Sequence, residues 1–223
     1  MKSNLKFYFI RHSKIDLPYK DHLEMPYDAL DDLATSRLDP SISPNSEQLF
    51  LEAAKKLPLD IFDVIYYNNS GFQSKRSEES ALLINKIIKD KYQKSPPILG
   101  NPDLKEIKFS LKEILPKSEF AKRRMSAVRT ALYNAEINNG PVEQIKNIFT
   151  RIDRIFASLE KQKSKNGNIL LVSHDFFMRV IEAYIRVSKD FKKITVDDLE
   201  KTTLNAYFKG FGVSYDLRLF ERF

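Results

Sequence analysis

Residues 5–12 read LKFYFIRH and residues 168–174 read NILLVSH, and these two stretches decide the fold. Each is a short, nearly continuous apolar run that ends abruptly at a histidine, His12 or His174. Runs of this length and composition are typical of strands that are buried on both faces. A third such run, FDVIYY at 62–67, lies between them in the chain. We therefore predict three buried strands, two of which end at a histidine.

Amphipathic helices are predicted between and after these strands. Ser43 and Pro44 have the pattern of a helix start, helical patterns cover residues 74–91 and 118–138, Pro141 opens a strongly periodic helix, and another helix follows His174. The thirty or so residues after His12 are predicted to be mostly loop, and residues 95–118 to be irregular. Two closing strands are predicted near 203–208 and 213–220. Strands that alternate with helices predict an α/β fold, with a mostly parallel central sheet covered by helices on both faces.

Composition limits the classes of protein to be considered. The 223 residues include 42% hydrophobic side chains and no cysteine, which fits one domain over residues 1–223 and excludes disulfides, thiolate metal sites and cysteine nucleophiles. No apolar run approaches the ~20 residues of a membrane helix, so we expect a cytoplasmic protein with no membrane partner. The net charge of +7 favours anionic ligands, but the basic residues are interspersed with acidic ones, and we predict no nucleic-acid partner. The sequence leaves open whether the protein forms a homodimer.

The two histidines at matched strand ends carry the functional hypothesis. The carboxyl ends of parallel strands meet at one edge of a sheet, so the imidazoles of His12 and His174 will lie close together if their strands are neighbours. The competing interpretation is a pair of unrelated core or surface histidines. A paired site, with Arg11 beside it, suits a phosphoryl group: guanidinium binds the oxygens, one neutral imidazole attacks phosphorus, and the second imidazole, protonated, stabilises charge on the equatorial oxygens during transfer. This chemistry needs a carboxylic acid for the leaving oxygen but no metal and no cofactor.

The order of the motifs resembles that of the histidine phosphatase superfamily, which includes the cofactor-dependent phosphoglycerate mutases. FYFIRHSK is similar to the family's strand followed by Arg-His-Gly, and residues 38–44, leading into a helix, are similar to its next conserved stretch. DVIYYNN followed by SKRSEESA is similar to the segment with a second phosphate-binding arginine, DLKEI at 103–107 to the segment with the proton-donating glutamate, and NILLVSHDFFMRVI to the segment with the second histidine. The resemblance spans most of the chain and implies the phosphoglycerate mutase-like fold, with a small helical and loop insertion near 108–140.

The resemblance also implies a role for each matched residue. His12 would be the nucleophile and His174 the second catalytic histidine, which also contacts the phosphoryl group. Arg11 and Arg76 would be the phosphate ligands. Glu106 would be the proton donor.

Several positions depart from the family pattern. Ser13 replaces the usual glycine after the first histidine, and Lys14 adds a positive charge beside it; both are candidate substrate contacts. The loop before Arg76 is longer than usual. Asp175 replaces a glycine after His174, and we expect its carboxylate to cap the next helix rather than to contact His174. These departures bear on substrate preference more than on chemistry.

The leading functional prediction is a metal-independent phosphatase of the histidine acid phosphatase type, which hydrolyses a phosphorylated small molecule or phosphoprotein through a phosphohistidine. One alternative is a mutase of the phosphoglycerate type, although residues 108–112 do not match the mutase signature. Another is a non-catalytic phosphate-binding module with the same fold.

Glu113 is the rival of Glu106 as proton donor. Arg123, Arg124 and Arg129 are predicted to form a solvated helix face rather than to bind a second anionic group of the substrate.

Overall fold

A computed structural model describes residues 4–19, 24–53, 59–160, 166–187, 190–202 and 215–216 of the chain. The strands are β1 (Asn4–Arg11), β2 (Val64–Tyr67), β3 (Ile98–Gly100), β4 (Asn166–Ser173) and β5 (Tyr215–Asp216). The helices are α1 (Tyr27–Ala34), α2 (Ser46–Ala53), α3 (Ser74–Tyr92), α4 (Leu111–Ile114), α5 (Lys117–Arg123), α6 (Met125–Ile137), α7 (Ile145–Glu160), α8 (Asp175–Arg186) and α9 (Val196–Glu200). None of these helices has the length and apolar character needed to cross a membrane.

The strands form one sheet in the order β3-β2-β4-β1-β5. The pairs β3–β2, β2–β4 and β4–β1 are parallel, and β5 lies antiparallel beside β1. In the β1–β4 pair, Phe7 lies opposite Ile169 and Arg11 opposite Ser173. This arrangement confirms the predicted α/β fold with a mostly parallel sheet, and it makes the two histidine-bearing strands direct neighbours.

Helices cover both faces of the sheet because successive side chains of the central strands point in opposite directions. Phe7 and Phe9 enter a core formed with the long helices α7 and α8 and with the helices of the 108–140 region. Tyr8 and Ile10 enter a second core, on the other face, formed with α3 and with Phe50 of α2. Both cores are closely packed with aromatic side chains, such as the edge-to-face pair of Phe7 and Phe156, whose ring centroids lie 5.3 Å apart. The nearly continuous apolar runs of β1 and β4 follow directly from this burial on two faces.

Two helical regions differ from the sequence-based prediction. Residues 27–34, predicted as loop, form helix α1, which starts after Pro26 and buries Leu30 and Leu33 against the core. The prolines at 18, 26 and 40 lie outside this helix, so they limit it without preventing it. The helical stretch predicted at 118–138 is two helices, because Arg124 between them has a left-handed φ of 50° with ψ of −133°. The Arg124 side chain donates a hydrogen bond to the carbonyl of Met25, 2.7 Å away, which holds the break beside α1.

Several predicted boundaries also move. Helix α7 starts at Ile145 rather than at Pro141, and α2 starts at Ser46 rather than at Pro44. The strand predicted at 62–67 starts at Val64, and the segment predicted as irregular contains β3 and α4. The closing strand predicted near 203–208 lies outside the described residues. Of the one predicted near 213–220, only β5 is described.

A carboxyl group of α6 is buried in the interior of the protein. The Glu136 side chain is fully buried, and neither of its oxygens has a hydrogen-bond partner among the described residues. Burial raises the pKa of Glu136 well above its ordinary value, and the nearby carboxylates of Glu106 and Glu143 raise it further, while Arg151 opposes them. The folded protein therefore holds this carboxyl protonated at pH values at which the unfolded chain would ionise it.

We expect Glu136→Gln to make the stability of the protein less dependent on pH. In the wild type, the stability from the protonated Glu136 is fully present below the pKa of an unfolded glutamate, about 4.3, and is lost as the pH rises through the folded value. The variant has no such proton, so its melting temperature should rise relative to that of the wild type as the pH increases from about 4 to about 8. Glu52→Gln, at an exposed position of α2, serves as the control. A Glu136→Gln difference that is constant across this range would contradict the prediction.

Candidate active site

The pairing of β1 with β4 places two imidazoles side by side. Arg11 and Ser173 are opposite each other in the register, so His12 and His174 are the next residues on the two strands. The backbone N–H of His12 donates to the carbonyl of Ser173 at 2.9 Å and continues the pairing by one residue. The ring centroids of His12 and His174 are 5.2 Å apart, and both side chains are buried. The structure thus brings together the two histidines that the sequence places at strand ends.

The hydrogen bonds of His12 fix its tautomer. Its Nδ1 lies 2.7 Å from the carbonyl oxygen of Ser13, which can only accept a hydrogen bond. The proton of a neutral ring is therefore on Nδ1, and Nε2 carries the free lone pair. This is the state that a nucleophilic imidazole requires.

His174 has the same tautomer, but its hydrogen-bonded nitrogen is Nε2 rather than Nδ1. The amide Nδ2 of Asn68 lies 3.1 Å from Nε2 of His174 and donates to it, so the ring proton is on Nδ1. The same amide group donates to the carbonyl of Phe72 at 2.8 Å, which fixes its orientation. Asn68 lies in the lengthened loop before Arg76, and sequence analysis assigns it no role. Its contact with His174 joins that loop to the site, and no local sequence pattern signals it.

Two guanidinium groups border the imidazoles. Arg11 is the last residue of β1, and Arg76 is buried in the first turn of α3. The pKa of Arg76 is lowered to about 10, mainly by burial and to a smaller extent by the charge of Arg11, while Asp39 and Glu106 oppose the shift. Arg76 therefore still carries its charge at neutral pH. Its Nη2 donates to Oε1 of Gln73, which stands three residues earlier.

The unpaired polar atoms of this region are almost all hydrogen-bond donors. The unpaired donors are Nε of Arg11, Nε and Nη1 of Arg76, and Nδ1 of His174. All four atoms are buried and have no hydrogen-bond partner among the described residues. Buried polar groups in native proteins are normally hydrogen-bonded, so a group of unpaired donors indicates a site for a ligand that accepts hydrogen bonds. With two positive charges among them, these donors suit an anion such as a phosphoryl group.

The positive charges also set the protonation of the histidines. Burial lowers the pKa of both His12 and His174 well below the ordinary value, and the charges of Arg76 and Arg11 lower it further. Both imidazoles are therefore neutral at neutral pH, and the expectation that the second one is protonated is wrong for the protein without a bound anion. The lone pair on Nε2 of His12 is available there without an additional base.

Glu106 lies at the start of the helix that follows His174. Its Oε1 accepts the N–H of Phe177 at 2.8 Å and that of Ile107 at 3.0 Å, and its Oε2 accepts the N–H of Phe176 at 3.2 Å. These bonds favour the carboxylate, but burial acts in the opposite direction and is the larger effect, so the pKa of Glu106 is raised. A buried carboxyl with a raised pKa can act as a general acid.

Two sequence-based expectations near Glu106 concern Asp175 and Glu113. Asp175 makes no capping hydrogen bond; its carboxylate pairs with Arg179 at 3.3 Å, and Glu106 caps α8 in its place. The prediction that Asp175 caps this helix is therefore wrong. The charge of Arg11 also acts on Asp175 and, with that of Arg179, holds the pKa of its carboxyl low. Glu113, the rival proton donor, is exposed on α4.

Ser13 and Lys14 follow the first histidine and have contrasting surroundings. The Ser13 hydroxyl is buried and donates to the hydroxyl of Ser46, at 2.8 Å, while its N–H donates to Ser80 at 2.9 Å. The side chain of Lys14 is exposed, and its carbonyl accepts the N–H of Ser43 at 2.7 Å. Ser13 thus ties the chain after His12 to the starts of α2 and α3. Contact of either side chain with a substrate stays a prediction.

Gln73 is a residue of the site that sequence analysis missed. It is buried, with a left-handed φ of 51°, and its Nε2 donates to the carbonyl of Leu33 at 2.7 Å. Its Oε1 accepts from Arg76. The side-chain amide of Gln73 therefore connects Arg76, a candidate phosphate ligand, to the end of α1. Over the described ranges of the chain, the histidines and carboxylates form no group of three that could hold a metal ion.

Comparison with known proteins identifies the family of the chain. The sequence profile of the histidine phosphatase superfamily (branch 1) matches residues 7–213, a range that includes every residue of the site described above. The chain belongs to the histidine phosphatase superfamily. A search of curated protein sequences gave no significant match.

Solved structures of this superfamily's fold resemble the chain at low sequence identity. YhfR of Bacillus stearothermophilus matches with a TM-score of 0.58 and 16% identity, over 89% of this chain and 85% of its own. A mycobacterial glucosyl-3-phosphoglycerate phosphatase, in its complex with VO3, matches with a TM-score of 0.55 and 14% identity, over 87% and 84%. The phosphoglycerate mutase of Bacillus anthracis matches with a TM-score of 0.52 and 18% identity, over 84% and 83%. At these identities the likeness extends to the phosphoglycerate mutase-like fold alone.

We expect added inorganic phosphate to raise the pKa of two of the three histidines. The negative charge of the anion offsets the charges of Arg11 and Arg76 that lower the pKa of His12 and His174. Titration of the imidazole resonances by NMR, with and without phosphate, measures the change, and His12→Ala and His174→Ala assign the signals. Arg76→Ala should weaken the response. Phosphate that leaves all three titrations unchanged would contradict an anion site between these rings.

Proposed function

We propose that this protein hydrolyses phosphate monoesters through a phosphohistidine at His12. The observation that supports the proposal best is the group of unpaired donors from Arg11, Arg76 and His174 beside a neutral imidazole whose Nε2 lone pair is free. Membership of the histidine phosphatase superfamily also supports the proposal, as does the likeness of the chain's fold to those of a phosphatase and a mutase. The proposed reaction needs a nucleophile, a binding site for the phosphoryl oxygens and an acid, and the site contains a candidate for each.

In the first step, Nε2 of His12 attacks phosphorus while the bond from phosphorus to the ester oxygen breaks. The guanidiniums of Arg11 and Arg76 and the Nδ1–H of His174 donate to the three remaining phosphoryl oxygens, where negative charge is concentrated. Glu106, whose raised pKa favours the protonated form, gives its proton to the departing oxygen. The products of this step are the alcohol, a phosphohistidine and the Glu106 carboxylate.

In the second step, water attacks the phosphohistidine. Glu106, now a carboxylate, takes a proton from that water as its oxygen bonds to phosphorus, and the bond to His12 breaks. Inorganic phosphate leaves, with Nε2 free and Glu106 protonated as at the start. The positive charge needed in both steps comes from side chains, so we propose that the reaction proceeds without a metal ion.

Hydrolysis of p-nitrophenyl phosphate tests the nucleophile. We expect the wild type to be active with and without a chelator, because side chains supply the positive charge. His12→Ala should lose at least about 10³-fold in kcat/KM, since it removes the nucleophile. His22→Ala, at the third histidine of the chain, should keep the wild-type value. Activity that survives in His12→Ala would overturn the assignment of His12, and activity lost to the chelator would overturn the metal-independent mechanism.

The role of Glu106 can be separated from its contacts with α8 by varying the leaving group. We expect Glu106→Gln to lose more activity with an alkyl phosphate than with an aryl phosphate, because a poorer leaving group depends more on protonation. A defect in folding or in the cap of α8 would reduce both rates by the same factor. Glu113→Gln, the exposed rival, should retain both rates. Equal losses on the two substrates would count against Glu106 as the acid.

A further inference from the structure

One carboxylate faces the group of donors that forms the candidate phosphoryl site. Asp39 lies in the segment between α1 and α2, and its Oδ2 accepts the N–H of Lys75 at 3.2 Å. Its Oδ1 is 3.7 Å from Nη1 of Arg76, which is too far for a hydrogen bond. Both atoms are buried and have no hydrogen-bond partner within the part of the chain that the structure describes. An acceptor and a donor thus face one another unpaired at the edge of the site.

Arg76 is held in place without a hydrogen bond from Asp39. Oε1 of Gln73 accepts from Nη2 of Arg76, and Nε2 of Gln73 is anchored on the carbonyl of Leu33. Asp39 contributes charge but no hydrogen bond to this arrangement. Its unpaired oxygen therefore suggests a function other than fixing the guanidinium.

The segment that carries Asp39 runs alongside the residues that come after His12. The N–H of Asp16 donates to Ser41 at 2.8 Å and the N–H of Ser43 to Lys14 at 2.7 Å, so residues 41–43 run beside 14–16. The side chain of Asp39 is 23% exposed, against 5% for Arg76. Asp39 is thus nearer to solvent than Arg76.

We propose that Asp39 selects the organic part of the substrate, favouring phosphate esters of uncharged, hydroxyl-bearing molecules such as polyols and sugars over esters that carry a second anionic group. This inference rests on the proposed function. A substrate hydroxyl can donate to the free Oδ1, whereas a carboxylate or second phosphate placed there has no proton to donate and meets a like charge. Two unit charges about 4–5 Å apart near a protein surface repel strongly enough to change kcat/KM at least roughly tenfold.

A matched pair of substrates tests the proposal. Glycerol 3-phosphate and 3-phosphoglycerate have the same skeleton, but one ends in a hydroxymethyl group and the other in a carboxylate. We expect the wild type to prefer glycerol 3-phosphate, and Asp39→Asn to reduce that preference about tenfold, mainly by raising kcat/KM for 3-phosphoglycerate. Asp60→Asn makes the same change of charge at an exposed position before β2, far from the site along the sheet, and should keep the wild-type ratio.

The ratio of the two kcat/KM values separates the outcomes. If Asp39 only positions Arg76, or only accepts a proton from the phosphoryl group itself, Asp39→Asn changes both values by the same factor and the proposal is overturned. An unchanged wild-type preference in Asp39→Asn overturns it as well.

Failure of the proposed function would have a different result, namely no hydrolysis of either compound by the wild type or undiminished hydrolysis by His12→Ala. The selectivity can then be measured as binding. Calorimetry would compare the binding of the two compounds to His12→Ala and to the double variant His12→Ala/Asp39→Asn. We expect the ratio of the two dissociation constants to change about tenfold between these proteins. An unchanged ratio would overturn the role of Asp39.

Discussion

The register of β1 against β4 is the constraint on which the site depends. A slip of one residue would move His12 about 3.3 Å along β4 and turn its side chain to the other face of the sheet. Because both faces of these strands are apolar, their hydrophobic pattern alone does not exclude such a slip. Polar contacts do so by holding the carboxyl ends of both strands on α3: Ser77 donates to the carbonyl of Val172, and Ser80 accepts the N–H of Ser13, each at 2.9 Å. Ser173 also donates to the carbonyl of Leu104 at 2.9 Å. The residues just before His174 are thereby tied to α3 and to the segment before Glu106.

The second constraint is the positive charge that the site concentrates inside the protein. Arg11 and Arg76 repel one another, and burial of Arg76 adds a cost that the nearby Asp39 and Glu106 only partly offset. Neutral histidines are the response of the folded chain, because a protonated imidazole here would add a third positive charge. The charge distribution that attracts a phosphoryl group therefore also leaves His12 unprotonated, which is the form that can attack it.

Local patterns predicted the parts of this molecule that depend on local properties. An apolar run that ends at Arg11 and His12 is readable as a buried strand, and the match to NILLVSH placed the second histidine at the same edge. The contacts of Asn68, Gln73 and Asp39 were not readable, because each joins segments that lie apart in the sequence. The break at Arg124 requires a left-handed φ on a residue type that rarely adopts it, so nothing in the sequence announces it.

The cap of α8 shows how such a long-range contact changes a residue's chemistry. An aspartate at the first position of a helix normally suggests a local cap, but Asp175 pairs with Arg179, and the carboxylate that receives the helix N–H groups comes from Glu106, 70 residues earlier in the chain. These bonds hold Glu106 beside His174 and favour its charged form, while burial favours the neutral one. In the proposed reaction, a bound phosphoryl group adds negative charge next to Arg76, which reduces the stabilisation that this arginine gives to the Glu106 carboxylate. Substrate binding would then raise the pKa of Glu106 further and protonate the acid at the stage at which its proton is needed.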